Sequence, residues 1–144
     1  MKINVHLTYS GQCEVAFRFY QRCLGGVIDT MLKYRDSPMA DQVPAAWQEK
    51  IMHANLSFDG CSLVGADLVG HEFPRGFFVL LDVDEPSNAE RIFRLLSEDG
   101  RIQMPIQETF WAARFGVLVD RFGVPWEVNC GQSREGSIKG RNPE

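Results

Sequence analysis

Nowhere in the 144 residues does an apolar run approach the ~20 residues that a membrane-spanning helix needs, so no membrane association is expected. Positive charge is also in short supply. Lys and Arg number 15 against 19 Asp and Glu, a net charge of -4, which gives no reason to expect nucleic acid or an anionic surface as partner. The cysteines, Cys13, Cys23, Cys61 and Cys130, contain no CxxC pair and no zinc-finger spacing. Cys13 and Cys23 fall on one helix, roughly 15 Å apart at 1.5 Å per residue, too far to bridge, so reduced thiols are expected. No glycine-rich GxGxG turn follows the first strand, which removes the usual cradle for adenosylmethionine. The opening residues Met1–His6 run directly into a strand without a signal-peptide layout, and a cytoplasmic location is the expectation.

What is present is ordinary globular material: 44% hydrophobic and 24% charged residues, enough for one domain with a real core. Ile3, Val5, Leu7 and Tyr9 alternate with Asn4, His6 and Thr8, the period-2 pattern of a half-buried strand. Ala16, Phe19, Tyr20, Cys23 and Leu24 then recur at helical spacing over 14–24, and Gly25-Gly26 stops the helix. A second strand is predicted over 27–34, then a loop over 35–50 with one helical turn around 45–48. Residues 51–58 alternate again, with His53, Asn55 and Ser57 on one face, and Asp59-Gly60 is a hairpin signal leading to a strand over 61–66. A Gly/Pro-punctuated linker covers 67–75, where His71 reads as exposed and silent.

The order then repeats: a strand over 76–83, a helix opened by Pro86 with Ser87 and Glu90 spaced as a capping box, and strands over 101–107, 112–120 and 126–130. Ala89, Ile92, Phe93 and Leu96 form the buried stripe of that helix, and Ala16, Phe19 and Tyr20 fall over Ala89, Ile92 and Phe93 at one constant offset. The expected fold class is therefore α+β, with two βαβββ modules (about 1–66 and 76–130) in a single domain over 1–130 and a flexible polar tail over 131–144. A sheet covered by its helix on one side leaves the other side bare. Two bare faces lining a curved cup would be the place for a ligand.

The run Gln107-Glu108-Thr109-Phe110-Trp111-Ala112-Ala113-Arg114-Phe115-Gly116, followed by Asp120-Arg121-Phe122-Gly123-Val124-Pro125-Trp126, resembles the C-terminal signature of PhnB-like proteins. That branch belongs to the vicinal oxygen chelate superfamily, which includes glyoxalases, bleomycin-resistance proteins and dioxygenases. Phe19-Tyr20-Gln21-Arg22 before Leu24-Gly25-Gly26, and Ile51-Met52-His53-Ala54-Asn55, extend the resemblance over most of the chain. It implies paired βαβββ modules, a homodimer, a cup-shaped site and no settled reaction. Some relatives carry a ubiquinone-methyltransferase label.

Superfamily members that bind a divalent metal draw their ligands from the first, fourth, fifth and eighth strands. By that resemblance His6 on the first strand and Glu127 on the eighth stand at ligand positions, while Phe78 on the fifth and Val64 or Gly65 on the fourth cannot bind metal. His6, Glu127 and Glu108 are the candidate catalytic groups; His6 and Glu127 are also the weak candidates for a divalent metal. His53, Asn55, Phe78, Trp111 and Arg114 are the candidate ligand-binding residues, with Trp111 as an aromatic wall and Arg114 as a clamp for an anion. For each the bland alternative stands beside it: His6 as a cup-lining histidine, Glu127 as a solvated strand residue, and the Phe110-Trp111-Phe115 hairpin as packing, with Arg114 paired to Glu108 or to a partner carboxylate. Three functions remain in view. One is a module that binds a small molecule. Another is a divalent-metal-dependent lyase, isomerase or transferase. The third is a metal-free enzyme using His6, Glu127 or Glu108 as acid or base in the cup.

Overall fold

The computed structural model describes residues 1–72 and 74–132. The chain divides into two compact units, Met1–Arg75 and a second beginning at Gly76, and each runs βαβββ. In module 1 the elements are β1 (Val5–Tyr9), α1 (Cys13–Leu24), β2 (Val27–Lys33), β3 (Ile51–Phe58) and β4 (Cys61–Asp67). They form a four-stranded sheet in the order β1-β4-β3-β2, in which β1 and β4 are parallel and the remaining pairs antiparallel. Module 2 repeats the plan with β5 (Val79–Asp82), α2 (Pro86–Leu96), β6 (Arg101–Gln107), β7 (Ala112–Val119) and β8 (Pro125–Gly131), ordered β5-β8-β7-β6. The parallel pair in each sheet is possible because a helix crosses between its strands.

The helices bury the stripes that the sequence periodicity marks. Ala16, Phe17, Phe19, Tyr20 and Cys23 of α1 meet Leu7, Tyr9, Leu56 and Leu63 of the sheet, and Ala89, Ile92, Phe93 and Leu96 of α2 meet Leu118, Trp126 and Val128. Both helices lie close against a glycine. A Cβ on Gly65 would stand 2.5 Å from Phe17 Cε1 and 3.2 Å from Cys13 Sγ, and one on Gly116 would stand 2.6 Å from Phe93 Cε2. Gly65→Ala is therefore expected to destabilise the protein by about 1–3 kcal/mol through overpacking. Urea unfolding measures it, and a smaller residue at Phe17 in the same chain should recover part of the loss.

Several sequence expectations are corrected. The capping box does not form: Glu85 is the N-cap of α2 and makes no side-chain cap, because Pro86 with its fixed φ already occupies the first helical position. Glu90, assigned to that box, pairs with Arg114 instead. The loop over 35–50 holds three short 3₁₀ turns rather than one helical turn. β5 is shorter than the run 76–83. The expected tail lies outside the described residues from 133 onward; its first residue, Gly131, closes β8 opposite Ala112.

Candidate functional site

Each sheet has a face turned away from its helix, and the strand registers state what stands on it. In module 1, His6 pairs with Val64 and Thr8 with Ala66 across the parallel β1–β4 ladder. Asn55 lies opposite Val64 on the other side, and opposite Thr30 on β2; His53 lies opposite Leu32. Because successive residues on a strand face opposite ways, His6, Thr8, His53, Asn55, Ser57, Ser62, Val64 and Ala66 share the open face. Two small apolar residues on β4 thus form a floor, with hydrogen-bonding side chains on the strands at either side.

Asp29 joins this face by an irregularity. The β2–β3 register jumps between Ile28 and Thr30, so Asp29 is an extra, unpaired residue, a bulge that turns its side chain onto the open side. Its carboxylate accepts two hydrogen bonds from Asn55 Nδ2, at 2.7 and 2.9 Å, and one from the Ser57 hydroxyl. Those donors, Ser57 foremost and then Asn55, hold the Asp29 carboxyl below its ordinary range. The depressed value means that this network favours the folded state above the ordinary carboxylate range and loses its effect as pH falls through the lower folded value. Ser57→Ala is expected to move the Asp29 titration upward, read by carboxylate ¹³C NMR; an unchanged midpoint would contradict the assignment.

His71 was read as exposed, and that expectation is corrected. It is half-buried, and its Nδ1 lies 2.8 Å from Thr8 Oγ1. The segment after β4 turns back onto the sheet, held by the Leu68 N–H donating to Tyr9 O at 2.8 Å.

In module 2 the open face is more apolar. Leu80 pairs with Glu127 and Val117 lies on Glu127's other side. The residue beside Glu127 on the fifth strand is therefore Leu80; Phe78 precedes β5 by one position and is half exposed. Asn129 donates to Asp82 at 2.9 Å. Arg114 stands apart from these. A register shift between Ala112 and Arg114 brings it opposite Cys130, on the helix side, where its Nε donates to Glu90 at 2.7 Å. It is thus paired with a helix carboxylate rather than grouped with Glu127. Glu108 is exposed, and Phe110, Trp111 and Phe115 stack edge-on with ring centroids 4.7 and 5.4 Å apart at the β6–β7 hairpin.

Two buried carboxylates escaped the sequence reading as site-building residues. Asp67 accepts from the N–H groups of Gly11 and Cys13 at 2.8 and 3.0 Å through Oδ1, and from Ile51 at 2.9 Å through Oδ2. Gln12, the N-cap of α1, gives no side-chain cap, so Asp67 serves that function from across the sheet. Asp120 accepts from Phe122 and Val124 N–H and from Trp126 Nε1. The Cys13 thiol is held far above its ordinary value by burial, with Asp67 and Glu14 adding to it, so it stays protonated and inert.

Within each module the neighbours of the two candidate metal ligands are apolar. His6 has Val64 as its ladder neighbour, and Glu127 sits between Leu80 and Val117. Among the described residues no group of three His, Cys, Asp or Glu side chains is placed to hold an ion.

A family model described as 3-demethylubiquinone-9 3-methyltransferase matches residues 1–129. The chain is 33% identical over 139 residues to Protein YjdN of Escherichia coli (strain K12), with 90% of this chain and 95% of that protein covered. The crystal structure of protein PA1353 from Pseudomonas aeruginosa aligns with a TM-score of 0.84 at 43% identity, over 92% of this chain and 99% of that one. A glyoxylase/bleomycin resistance protein/dioxygenase domain from Frankia sp. EAN1pec aligns with a TM-score of 0.59 at 13% identity, over 91% and 95% of the two chains, and so shares the fold.

Proposed function

We propose that this chain, which belongs to the PhnB-like 3-demethylubiquinone-9 3-methyltransferase family and has the glyoxalase/bleomycin resistance fold, binds a small molecule on the open faces of its sheets. The observation that carries this is the module 1 face. Hydrogen-bonding groups (His6, Thr8, His53, Asn55) flank an apolar floor of Val64 and Ala66, the mixture that ligand sites use for area and orientation. The open face of module 2, taken by itself, is apolar at Leu80 and Val117 with Glu127 between them.

Two observations weigh against reading the family description as methyl transfer by this chain. No glycine-rich turn follows β1, and the amides of Gly11 before α1 and of Cys13 in its first turn already donate to Asp67, leaving fewer donors for a nucleotide-like cofactor. The apolar neighbours of His6 and Glu127 likewise favour binding over metal-assisted catalysis.

The test is ¹H–¹⁵N NMR with a library of small aromatic and polyhydroxylated compounds. Hits are expected to shift the His6, His53 and Asn55 amides, and His6→Ala to weaken them. Hits that map elsewhere, or none at all, would sink the reading. Stoichiometric metal in the purified protein that is lost on His6→Ala and Glu127→Ala would replace it with the metal-dependent one.

The same reading includes a second copy of the chain. β6 is an edge strand exposed along nearly its whole length, and Phe110 beside it is 90% exposed, surface that a homodimer would cover. A sedimentation mass at the monomer value refutes this part. Four free thiols fit a reducing, cytoplasmic location. No helix among the described residues is long and apolar enough to cross a membrane.

A further inference from the structure

At the β3–β4 hairpin end of the module 1 open face the sheet holds a cavity of about 270 Å³. Lys2, Asn4, Ser57, Phe58, Cys61 and Ser62 are among the residues that line it. The strand registers explain why they meet. Ser57 lies opposite Ser62 on the β3–β4 ladder, and the pairing of Val5 with Leu63 on the β1–β4 ladder sets Asn4 level with Ser62. Carried back along the chain, the alternation of β1 puts Lys2 and Asn4 in one column with His6 and Thr8. The cavity therefore lies one row from His6, Val64 and Asn55, about 7 Å along the strands.

Lys2 is the only charged residue in the lining. Among the described residues it forms no ion pair. The other lysines of module 1 are engaged, Lys33 with Glu49 at 2.8 Å and Lys50 with the Gly11 carbonyl at 3.3 Å. Two carboxylates lie on the same sheet, and neither cancels the charge of Lys2. Asp59 sits in the hairpin turn and is not part of the lining. Asp29 stands on β2, three strand spacings from β1, about 14 Å, which exceeds the screening length of roughly 8 Å at physiological salt. It is also occupied by Asn55 and Ser57. Because the Ser57 hydroxyl donates to Asp29, the donors left to the cavity's side chains are the Lys2 ammonium, the Asn4 carboxamide and the Ser62 hydroxyl.

Volume and charge together define what fits. Sites for drug-sized ligands enclose roughly 300–1,000 Å³, so this cavity takes a small group rather than a whole large ligand. One ammonium with an amide and a hydroxyl matches a carboxylate, whose two oxygens only accept. A phosphate dianion would keep a negative charge that nothing in the lining neutralises. Val64 and Ala66 follow Ser62 along β4, an apolar floor for the rest of the molecule.

We propose that this cavity is an anion-binding subsite in which Lys2, with Asn4 and Ser62, holds the carboxylate of a small organic acid whose apolar body lies over Val64 and Ala66. The proposal rests on the small-molecule reading above and adds to it the ligand's charge and the residue that selects it.

Cys61 makes the test direct. It is the exposed cysteine of the four and stands in the cavity wall, while Cys13, Cys23 and Cys130 are buried. Its thiolate displaces iodide from iodoacetate, an anion, or from iodoacetamide, which is neutral and nearly the same size. In each case a sulfur–carbon bond forms as the carbon–iodine bond breaks. Mass spectrometry of the full chain gives both rates at Cys61, each referred to the rate of the same reagent with a short neutral cysteine peptide. The iodoacetate-to-iodoacetamide ratio is expected to be about fivefold higher at Cys61 than in the peptide, the size of one ion contact in water. It should fall to the peptide value in Lys2→Gln and stay high in Lys2→Arg. Benzoate is expected to shift the Cys61 and Ser62 amides saturably in ¹H–¹⁵N NMR and to slow iodoacetamide at Cys61. It should also bind about fivefold more tightly than benzamide, a preference lost in Lys2→Gln. A ratio equal to that of the peptide, or unchanged in Lys2→Gln, overturns the subsite. Tighter binding of phenyl phosphate than of benzoate overturns the assignment to a carboxylate. After either failure, neutral compounds that still shift His6, His53 and Asn55 would leave the open-face reading standing.

Discussion

Asp67→Ala is expected to destabilise the protein by about 2–6 kcal/mol, since it leaves two buried backbone N–H groups without their acceptor at about 1–3 kcal/mol each, and a third that is only part-buried. The groups belong to Gly11, Cys13 and Ile51, in the β1–α1 turn, the first turn of α1 and the start of β3. One side chain thus joins three elements that are far apart in sequence. The substitution also removes the side-chain acceptor of the Cys13 amide in the first turn of α1, whose own N-cap contributes none. Equilibrium unfolding in urea, by circular dichroism and by tryptophan fluorescence, gives the loss. Asp67→Asn keeps one oxygen and is expected to lose about half as much, because its amide must turn an NH₂ group toward a backbone donor. A loss below 1 kcal/mol in the alanine variant would mean that water replaces the carboxylate at no cost, against the burial of this residue.

The second large effect lies in module 2. Asp120→Ala is expected to destabilise by about 2–5 kcal/mol, again through orphaned donors, here Phe122 N–H, Val124 N–H and the Trp126 indole N–H. Trp126 is fully buried, so its N–H has no route to water when the carboxylate is gone. Trp126→Phe removes that donor and should cost less in the Asp120→Ala background than in the parent. The coupling in a double-mutant cycle is expected to be about 1–2 kcal/mol. Additive losses would show that the indole and the carboxylate do not depend on each other.

These two aspartates differ in how far they could be read from the sequence. Asp120 sits in a local Asp-x-x-Gly turn, where a carboxylate two to four residues from its donors is an ordinary turn device. Asp67 bonds to residues 54 and 56 positions away and leaves no local mark. The helices were legible because amphipathic spacing is local, and the strands because burial alternates. The module order followed from that periodicity, and the family resemblance only marked His6 and Glu127 as ligand positions.

What remained hidden depends on register. Leu80 rather than Phe78 stands beside Glu127 by an offset of two, while Arg114 on the helix side and Asp29 on the open face both follow from bulges or strand offsets of one residue. Such offsets change which face a side chain takes without changing composition. His71 was hidden for a different reason. A histidine among glycines and prolines reads as solvated until a distant threonine is found beneath it.

The Asp29 bulge makes this sheet respond differently to two kinds of genetic change. Substituting Asp29 removes a carboxylate but leaves the extra residue in place. Deleting it would let Ile28 and Thr30 follow one another opposite Leu56 and Asn55 in an unbroken ladder, because those pairings already exist on either side of the gap. A three-nucleotide deletion is thus the conservative step at this position, with the strand keeping every other partner while the face loses its one anionic group.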